Sequence, residues 1–200
     1  MGVEIERKFT VRHLPEDLDK YPYHVIEQGY LNVSPAIRVR REDDSYYMTY
    51  KNKSTYASKG HEALTQPQCS QVNLHSAGED HEAPAQSQTI GATEYNLPLD
   101  KASYEHMLTK ADGNIIRKKR YLLPLNTDGF TEADAKKLQI DISSLKIELD
   151  VFDAPYDGTI IAEVEFPSEE AAAAYKPAYW FNQDVTGDKR YSNAQMSLRQ

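Results

Sequence analysis

The chain has 200 residues, of which 40% are hydrophobic and 27% are charged, and its formal net charge is −8. This length and composition are typical of one soluble domain with its own core, so we expect a single domain over residues 1–200. The acidic total argues against a general nucleic-acid surface, which would be basic, although local basic clusters still allow an anionic ligand.

The single cysteine, Cys69, excludes a disulfide framework and suits a reducing compartment. No apolar run approaches the roughly 20 residues of a membrane span, and the first residues lack the apolar segment of a signal peptide. We therefore expect a cytoplasmic protein with no nucleic-acid or membrane partner. The oligomeric state does not follow from these features.

The first predicted strand, residues 3–9, alternates in character along its length. Glu4, Glu6 and Lys8 fall on one face, because successive strand residues point to opposite sides. Two acids and a base are a poor start for an apolar core, but they suit a wet cavity that holds a metal ion and an anion. Taken alone, the segment is more simply explained as solvated surface, so the interpretation depends on the other strands.

Further strand-like segments follow at hairpin spacing, with short helices between some of them. The helices are predicted over residues 101–110, capped by Asp100, and over residues 169–175, capped by Ser168. The remaining predicted strands cover residues 25–33, 36–41, 46–51, 90–97, 115–124, 138–142, 145–152 and 159–166.

Residues 52–88 differ in composition from the rest of the chain, because they are rich in Ser, Gln, His, Ala and Gly and have almost no periodic apolar residues. Such a segment buries too little apolar surface to offset the entropy lost on ordering it. We therefore predict a long mobile insertion at about residues 52–88 within the single domain.

Charged residues of one sign come in pairs on the predicted strands, opposite mostly apolar faces. A sheet with one solvated face would mix Ser, Thr and Gln into that face. We therefore predict an α+β fold in which about eight antiparallel strands close into a β-barrel, with a charged interior and a few covering helices. The interior acids are Glu4, Glu6, Glu94, Glu148, Asp150, Glu163 and Glu165, and the interior bases are Lys8, Arg38, Arg40, Lys51, Lys118 and Arg120.

This combination of side chains indicates a phosphate ligand with a metal ion. Carboxylate pairs bind Mg²⁺ or Mn²⁺ through oxygen, and Arg and Lys bind phosphate oxygens. A polyphosphate needs both kinds of group at once, whereas a glycosidase needs one carboxylate pair and no arginines. A salt-bridged sheet without a ligand remains the alternative on spacing alone.

The segment Glu-Ile-Glu-Arg-Lys-Phe at residues 4–9 resembles the Glu-x-Glu-x-Lys signature of the CYTH superfamily, the triphosphate tunnel metalloenzymes. One such motif is a weak signal, but further family-like blocks follow in order at residues 28–31, 37–40, 48–51, 118–121, 148–152 and 162–166, and in the tail at 180–193. The tail is most similar to the small bacterial-type branch, whose members hydrolyse inorganic triphosphate. Other branches are thiamine triphosphatases and class IV adenylate cyclases.

The resemblance implies an eight-stranded antiparallel tunnel in which acids bind divalent metal and bases bind the triphosphate. Lys8 and Tyr30 resemble a proton-transfer dyad, and residues 185–193 resemble a short helix that plugs one tunnel mouth. The predicted metal ligands are Glu4, Glu6, Asp150, Glu163 and Glu165, together with Glu148 from its pairing with Asp150; the predicted substrate-binding residues are Lys8, Arg38, Arg40, Lys51, Lys118 and Arg120.

The sequence therefore predicts a metal-dependent hydrolase of triphosphates, with Mg²⁺ or Mn²⁺ as cofactor and inorganic triphosphate as the small anionic substrate. It departs from the family on the fifth strand, where Ala92, Glu94 and Asn96 stand in place of the usual Arg-x-Glu-x-Glu. The alternatives are a class IV-type adenylate cyclase, a thiamine triphosphatase and a non-catalytic binder of polyphosphate or nucleotide. A cyclase would need an adenine pocket, for which no clear aromatic and amide cluster is present.

Overall fold

Nine antiparallel strands form one sheet in the computed structural model, which describes residues 2–52 and 91–199. The strands are β1 Gly2–Val11, β2 Tyr23–Val33, β3 Ala36–Glu42, β4 Ser45–Asn52, β5 Gly91–Pro98, β6 Asp112–Pro124, β7 Lys146–Phe152, β8 Ile160–Phe166 and β9 Phe181–Asp184.

The strand order is β5-β4-β3-β2-β6-β7-β8-β1-β9. β1 also pairs with β5, through residues 2–5 and 91–94. The predicted α+β class with an antiparallel sheet is confirmed. Apart from its first residue, Asn52, the predicted insertion at 52–88 lies outside the described residues.

Four short α-helices accompany the sheet in the described residues: α1 Lys101–Leu108, α2 Glu132–Lys137, α3 Glu169–Ala174 and α4 Asn193–Met196. Both predicted helix caps are present, because Asp100 accepts a hydrogen bond from the Ser103 amide and Ser168 accepts one from the Ala171 amide. No helix within the described ranges is long and apolar enough to cross a membrane.

One predicted strand is absent, and one observed strand was not predicted. Residues 138–142 do not form a strand, because Leu138 ends α2 and Asp141 caps a helical turn by accepting a hydrogen bond from the Ser143 amide. The hydrogen bond to the Asp141 side chain favours a helical turn more than the weak apolar alternation favours a strand. Conversely, β9 is a strand that the sequence did not predict. Of its four residues only Phe181 is buried, so the segment shows no alternation of buried and exposed residues.

The main apolar core lies on the face of β1 that carries Phe9. This side chain is 1% exposed and stacks on Phe181 with ring centroids 4.5 Å apart. Arg7 shares that apolar face because its guanidinium holds the end of α3, where Nη1 donates to the carbonyls of Ala172 and Tyr175. These bonds satisfy helix-terminal carbonyls that lack partners within the helix.

A second apolar cluster lies on the opposite, charged faces of the strands. Its buried members include Tyr30, Ile116, Phe152 and Ile161, each two residues along its strand from a polar or charged residue. Met196 of α4 is 1% exposed and packs into this cluster. The charged face of the sheet therefore ends, at this cluster, in a patch of packed apolar side chains, which we call the apolar seal.

Gly113, at the start of β6, is needed where the chain from α4 crosses the strand. It has φ +70°, and a Cβ built on it would lie 2.2 Å from the Ser197 carbonyl oxygen. That same oxygen accepts a hydrogen bond of 2.7 Å from the Asn114 amide. A side chain at position 113 would therefore push the chain after α4 away from β6.

We expect Gly113→Ala to lower the melting temperature by more than Gly158→Ala. Both glycines have positive φ, which costs a non-glycine residue roughly 1 kcal/mol or more, but a Cβ on Gly158 meets nothing within 4 Å. The difference between the two variants in thermal unfolding isolates the clash with Ser197. Equal melting temperatures would show that residues 197–199 are not held against β6.

Candidate functional site

A network of buried ion pairs joins β6, β7 and β8. Arg120 donates from Nε and Nη2 to the two Asp150 oxygens at 2.7 Å each and from Nη2 to Glu163 at 2.7 Å, and it also contacts Glu148. Lys118, fully buried, pairs with Asp150. Although burial favours the neutral forms, the opposite charges raise the pKa of Arg120 and lower the pKa values of Asp150 and Glu163.

Lys8 extends this network to β1. Its Nζ lies 2.6 Å from Glu163 Oε1 and 3.8 Å from Glu6 Oε1. Burial opposes its charge, but these carboxylates raise the pKa of Lys8 above its ordinary value. By contrast, burial and the neighbouring Arg120 lower the pKa of Lys118 to about 8. Lys8 therefore stays cationic at neutral pH and suits a phosphate oxygen.

A second group of charges joins β1, β3, β4 and β5. Lys51 contacts Glu4, and its Nζ lies 3.7 Å from Glu94 Oε2. Arg38 Nη2 lies 3.8 Å from Glu94 Oε1. Burial would raise the pKa of Glu94, but Arg38 and Lys51 lower it, so its carboxylate is ionised. The fifth strand thus contributes one negative charge to this group, through Glu94.

Asn96 is a neutral polar residue on β5, two residues after Glu94. Its Oδ1 accepts a hydrogen bond of 2.6 Å from Thr49 Oγ1, and its Nδ2 donates to Glu94 Oε1 at 3.2 Å. The amide therefore holds two neighbouring side chains in place without adding charge. This arrangement leaves the basic residues of β3 with less neutralisation than an acid at position 96 would give.

Arg40 is held mainly by neutral groups. Its Nε donates to Gln28 Oε1 at 2.9 Å and its Nη1 to the Tyr47 hydroxyl at 3.1 Å. Within the described ranges its ion-pair contact is with Glu42, at 3.8 Å. Burial, together with the charge of Arg38, lowers the pKa of Arg40, which still remains charged. A bound anion would therefore stabilise the charge of the Arg40 guanidinium.

Tyr30 is 3% exposed and lies between the charged residues and the apolar seal. Its hydroxyl accepts a hydrogen bond of 3.1 Å from Gln28 Nε2. Burial opposes the charge of Arg38, but the nearby Tyr30 and Glu94 raise the pKa of Arg38. In the part of the chain that the structure describes, no hydrogen bond joins Lys8 to Tyr30, so their proton-transfer role stays a prediction.

The carboxylates predicted as metal ligands lie on neighbouring strands. Glu6 pairs in register with Glu165, and Glu148 with Glu163. Among residues 2–52 and 91–199, no three acidic, His or Cys side chains converge closely enough to hold a metal ion as they stand. Several of them instead bond to Arg120, Lys8 and Lys51, as described above.

The chemistry of these donors nevertheless fits a hard divalent cation. Partial burial and the charges of Glu148, Glu4 and Glu6 raise the pKa of Glu165 to about 7. The neighbouring carboxylates therefore repel the charge of Glu165, and a bound cation would relieve that repulsion. Glu165 therefore marks the acidic end of the site.

An open groove of about 520 Å³ gives this acidic end access to solvent. Glu148 and Glu165 line it together with Asp141, Lys146 and the connection before β7. A volume of that order is sufficient for a small molecule, since ligand pockets span roughly 300–1,000 Å³.

The structure also shows polar residues that the sequence did not predict as part of the site. Gln28 and Glu42 are examples, and both contact the Arg40–Tyr47 group. Each lies two residues from a predicted site residue on the same strand, Tyr30 and Arg40 respectively. Counting every polar residue on those faces, rather than only the paired charges, would have found them.

Comparison with known proteins shows similarity along nearly the whole chain. No family model matches it. It is 29% identical over 199 residues to an inorganic triphosphatase of Nitrosomonas europaea, covering 98% of this chain and 97% of the relative. It is 28% identical over 201 residues to an inorganic triphosphatase of Acetivibrio thermocellus, covering 98% of this chain and 94% of the relative.

A solved structure gives a matching result. The crystal structure of the inorganic triphosphatase NE1496 is 26% identical and superposes with a TM-score of 0.56, covering 100% of this chain and 97% of that one. The site described above therefore lies in a fold shared with proteins named inorganic triphosphatase.

The raised pKa of Glu165 predicts a specific dependence of stability on pH. An ordinary glutamate has a pKa of 4.5, so between about pH 4.5 and pH 7 the folded state binds a proton that the unfolded state has released. Stability should therefore fall as pH rises through this window. We expect Glu165→Gln to flatten that fall and to raise the melting temperature near pH 8 in metal-free buffer.

Glu16→Gln, which removes an exposed carboxylate from the loop between β1 and β2, is the control and should leave the pH profile unchanged. Thermal melts at several pH values, with a chelator present, make the measurement. A Glu165→Gln protein that loses stability near pH 8 would show that its carboxylate is not repelled by its neighbours.

Proposed function

We propose that this protein hydrolyses inorganic triphosphate to pyrophosphate and phosphate in the cytoplasm, with Mg²⁺ or Mn²⁺ as cofactor. The observation that carries the proposal is a set of charged side chains on one face of the strands, with two contrasting parts. On β3, Arg38 and Arg40 have their nearest carboxylates among the described residues at 3.8 Å. On β1, β7 and β8, the carboxylates of Glu4, Glu6 and Glu148 lie near Glu165 and raise its pKa. The full-length similarity to proteins named inorganic triphosphatase supports the same reaction.

We also propose that the eight strands from β5 to β1 form a closed tunnel of the CYTH type. The pairing of residues 2–5 with 91–94 supports closure, because it joins the two ends of that strand series. An eight-stranded barrel has an interior large enough for side chains and one small ligand. The apolar cluster around Met196 would close one mouth of this tunnel and leave the acidic end as the entrance.

In this proposal Arg38 and Arg40 bind the oxygens of the triphosphate, because their contacts with carboxylates, at 3.8 Å, are longer than those of the other basic residues of the site. Lys8, Lys51, Lys118 and Arg120 add positive charge from the surrounding strands. Such groups stabilise the negative charge that spreads over phosphoryl oxygens during transfer. Their positions on strands hold these groups near the phosphates before the reaction begins.

The metal would be held by carboxylates at the other end of the cavity. When bound, Mg²⁺ or Mn²⁺ neutralises phosphate charge and orients a water molecule. On this chain's side, the ligands would be drawn from Glu4, Glu6, Glu148, Asp150, Glu163 and Glu165, and binding requires some of them to leave their basic partners. Arg120 would then be freer to bind phosphate.

A phosphate-release assay tests the proposal. Inorganic triphosphate, ATP and thiamine triphosphate are supplied separately, each with Mg²⁺ or Mn²⁺. We expect the highest kcat/KM for inorganic triphosphate and no release in the presence of a chelator. Cyclic AMP formed from ATP would indicate a cyclase, and tight triphosphate binding without turnover would indicate a non-catalytic binder.

We expect Glu163→Gln combined with Glu165→Gln to lower activity at least about tenfold, the lower range for lost partners of a metal site. The two residues differ in their effect on folding. Glu163 neutralises Lys8 and Arg120, so its replacement leaves buried cations with one partner fewer, whereas Glu165 is repelled by its neighbours. Melting curves of the two single variants separate these effects from activity, and wild-type turnover in the double variant would remove both residues from the site.

Tyr30→Phe tests the predicted proton-transfer role. If Tyr30 acts with Lys8, the variant should lose at least about tenfold in kcat with little change in KM, and the alkaline side of its pH profile should move. Phenylalanine keeps the packing against Ile116 and Met196, so the fold is preserved. A variant with unchanged kcat and pH profile would exclude Tyr30 from proton transfer while leaving the triphosphatase proposal standing.

A further inference from the structure

Gln28 is a fully buried polar residue at the centre of the site. Its side chain is 0% exposed, and it lies on β2 two residues before Tyr30. Oε1 accepts a hydrogen bond from Arg40 Nε at 2.9 Å, and Nε2 donates one to the Tyr30 hydroxyl at 3.1 Å. One amide thus connects a predicted phosphate-binding residue with a predicted proton-transfer residue.

The orientation of this amide follows from its partners. Arginine Nε–H can only donate, so the Gln28 oxygen must face Arg40 and the amide nitrogen must face Tyr30. The Tyr30 oxygen therefore acts as an acceptor towards Gln28. Its own O–H proton is then directed to another acceptor, and a phosphate oxygen in the cavity would be such an acceptor.

The same contact fixes the rotation of the Arg40 guanidinium. Gln28 holds Nε and Tyr47 holds Nη1, so the planar group is fixed by two neutral partners. Nη2 has no hydrogen-bond partner within the described ranges, and it remains for a ligand. A guanidinium fixed in this way loses little conformational entropy when it binds a phosphate.

The backbone around Gln28 is also held tightly. A Cβ on Gly29 would lie 2.6 Å from the Ala111 Cβ and 2.9 Å from both Ile115 Cδ1 and Leu108 Cδ1. The outer side of β2 is therefore packed closely at this point. Because the strand cannot shift outwards freely, the side chains of Gln28 and Tyr30 on its inner side have defined positions.

We propose that Gln28 is a positioning residue for triphosphate binding and hydrolysis: it orients the Arg40 guanidinium towards the phosphate and directs the Tyr30 proton into the cavity. This inference rests on the proposed function. A purely structural role would require only that Gln28 fill its space, and a methionine of similar volume would then serve almost as well.

Two variants separate the two contacts of Gln28. Gln28→Met keeps the volume and loses both hydrogen bonds. Gln28→Glu keeps an acceptor for Arg40 but presents Tyr30 with a second acceptor in place of a donor, so the Tyr30 proton turns away from the cavity. The measurements are kcat, KM and the pH profile with inorganic triphosphate and Mg²⁺, and the Kd of inorganic triphosphate in metal-free buffer by calorimetry.

We expect Gln28→Met to raise KM and Kd by about tenfold or more, because Arg40 is no longer held. We expect Gln28→Glu to lower kcat by about tenfold or more and to shift the alkaline side of the pH profile. Melting temperatures show whether each variant is folded. Tyr104→Phe is the matched control: it removes the hydrogen bond of a buried hydroxyl to Glu27, on the opposite face of β2 from Gln28, and should change KM less than about twofold.

Folded Gln28→Met protein with wild-type KM and Kd would overturn the positioning role, as would equal effects of Tyr104→Phe and Gln28→Met on KM. If Gln28→Met does not fold, Gln28→Glu decides, and wild-type kcat and pH profile in that variant would overturn the role. A wild-type protein that neither binds nor hydrolyses inorganic triphosphate would overturn the proposed function, and the role of Gln28 with it. If the wild-type protein turns over inorganic triphosphate, a negative result from the Gln28 variants counts only against the role of Gln28.

Discussion

The ion pairs of Arg120 hold together the part of the sheet on which the site depends. The Arg120 guanidinium bonds to carboxylates on β7 and β8. One of these carboxylates, Glu163, also pairs with Lys8 of β1. Removing such charges from water costs several kcal/mol per ion, and well-packed apolar side chains are often at least as stabilising. Stability alone therefore gives a weak reason for this arrangement, whereas binding of a charged ligand gives a strong one.

The rest of the fold separates this charged region from the apolar ones. Phe9 and its neighbours form a core on one face of β1, and Met196 seals one end of the charged face on the other side. Arg7, Tyr30 and Gln28 lie at the borders between these regions, and each has at least one hydrogen-bond partner. Polar groups at such borders have defined orientations because a buried polar group without a hydrogen-bond partner destabilises the folded state.

Much of this arrangement could be predicted from the sequence, because strand alternation is a local property. The alternation at Glu4, Glu6 and Lys8, and at Glu163 and Glu165, assigns these side chains to one face without any knowledge of the partner strands. Pairing partners are not local, so the sequence could not show that Lys8 bonds to Glu163 rather than to Tyr30. The helical turn at Asp141 and the short strand β9 were missed because capping and edge pairing leave little periodic signal.

The place of β1 in the sheet has a consequence for how the chain folds. Ile5 pairs with Phe166 and Val11 pairs with Phe181, so β1 must wait for partners that are synthesised much later. Contacts between such distant residues make folding slow and leave an unpaired strand exposed meanwhile. The alternating charges of Glu4, Glu6 and Lys8 disfavour pairing of that strand with another chain. The residues proposed to bind metal and phosphate would thus also protect the nascent protein from aggregation.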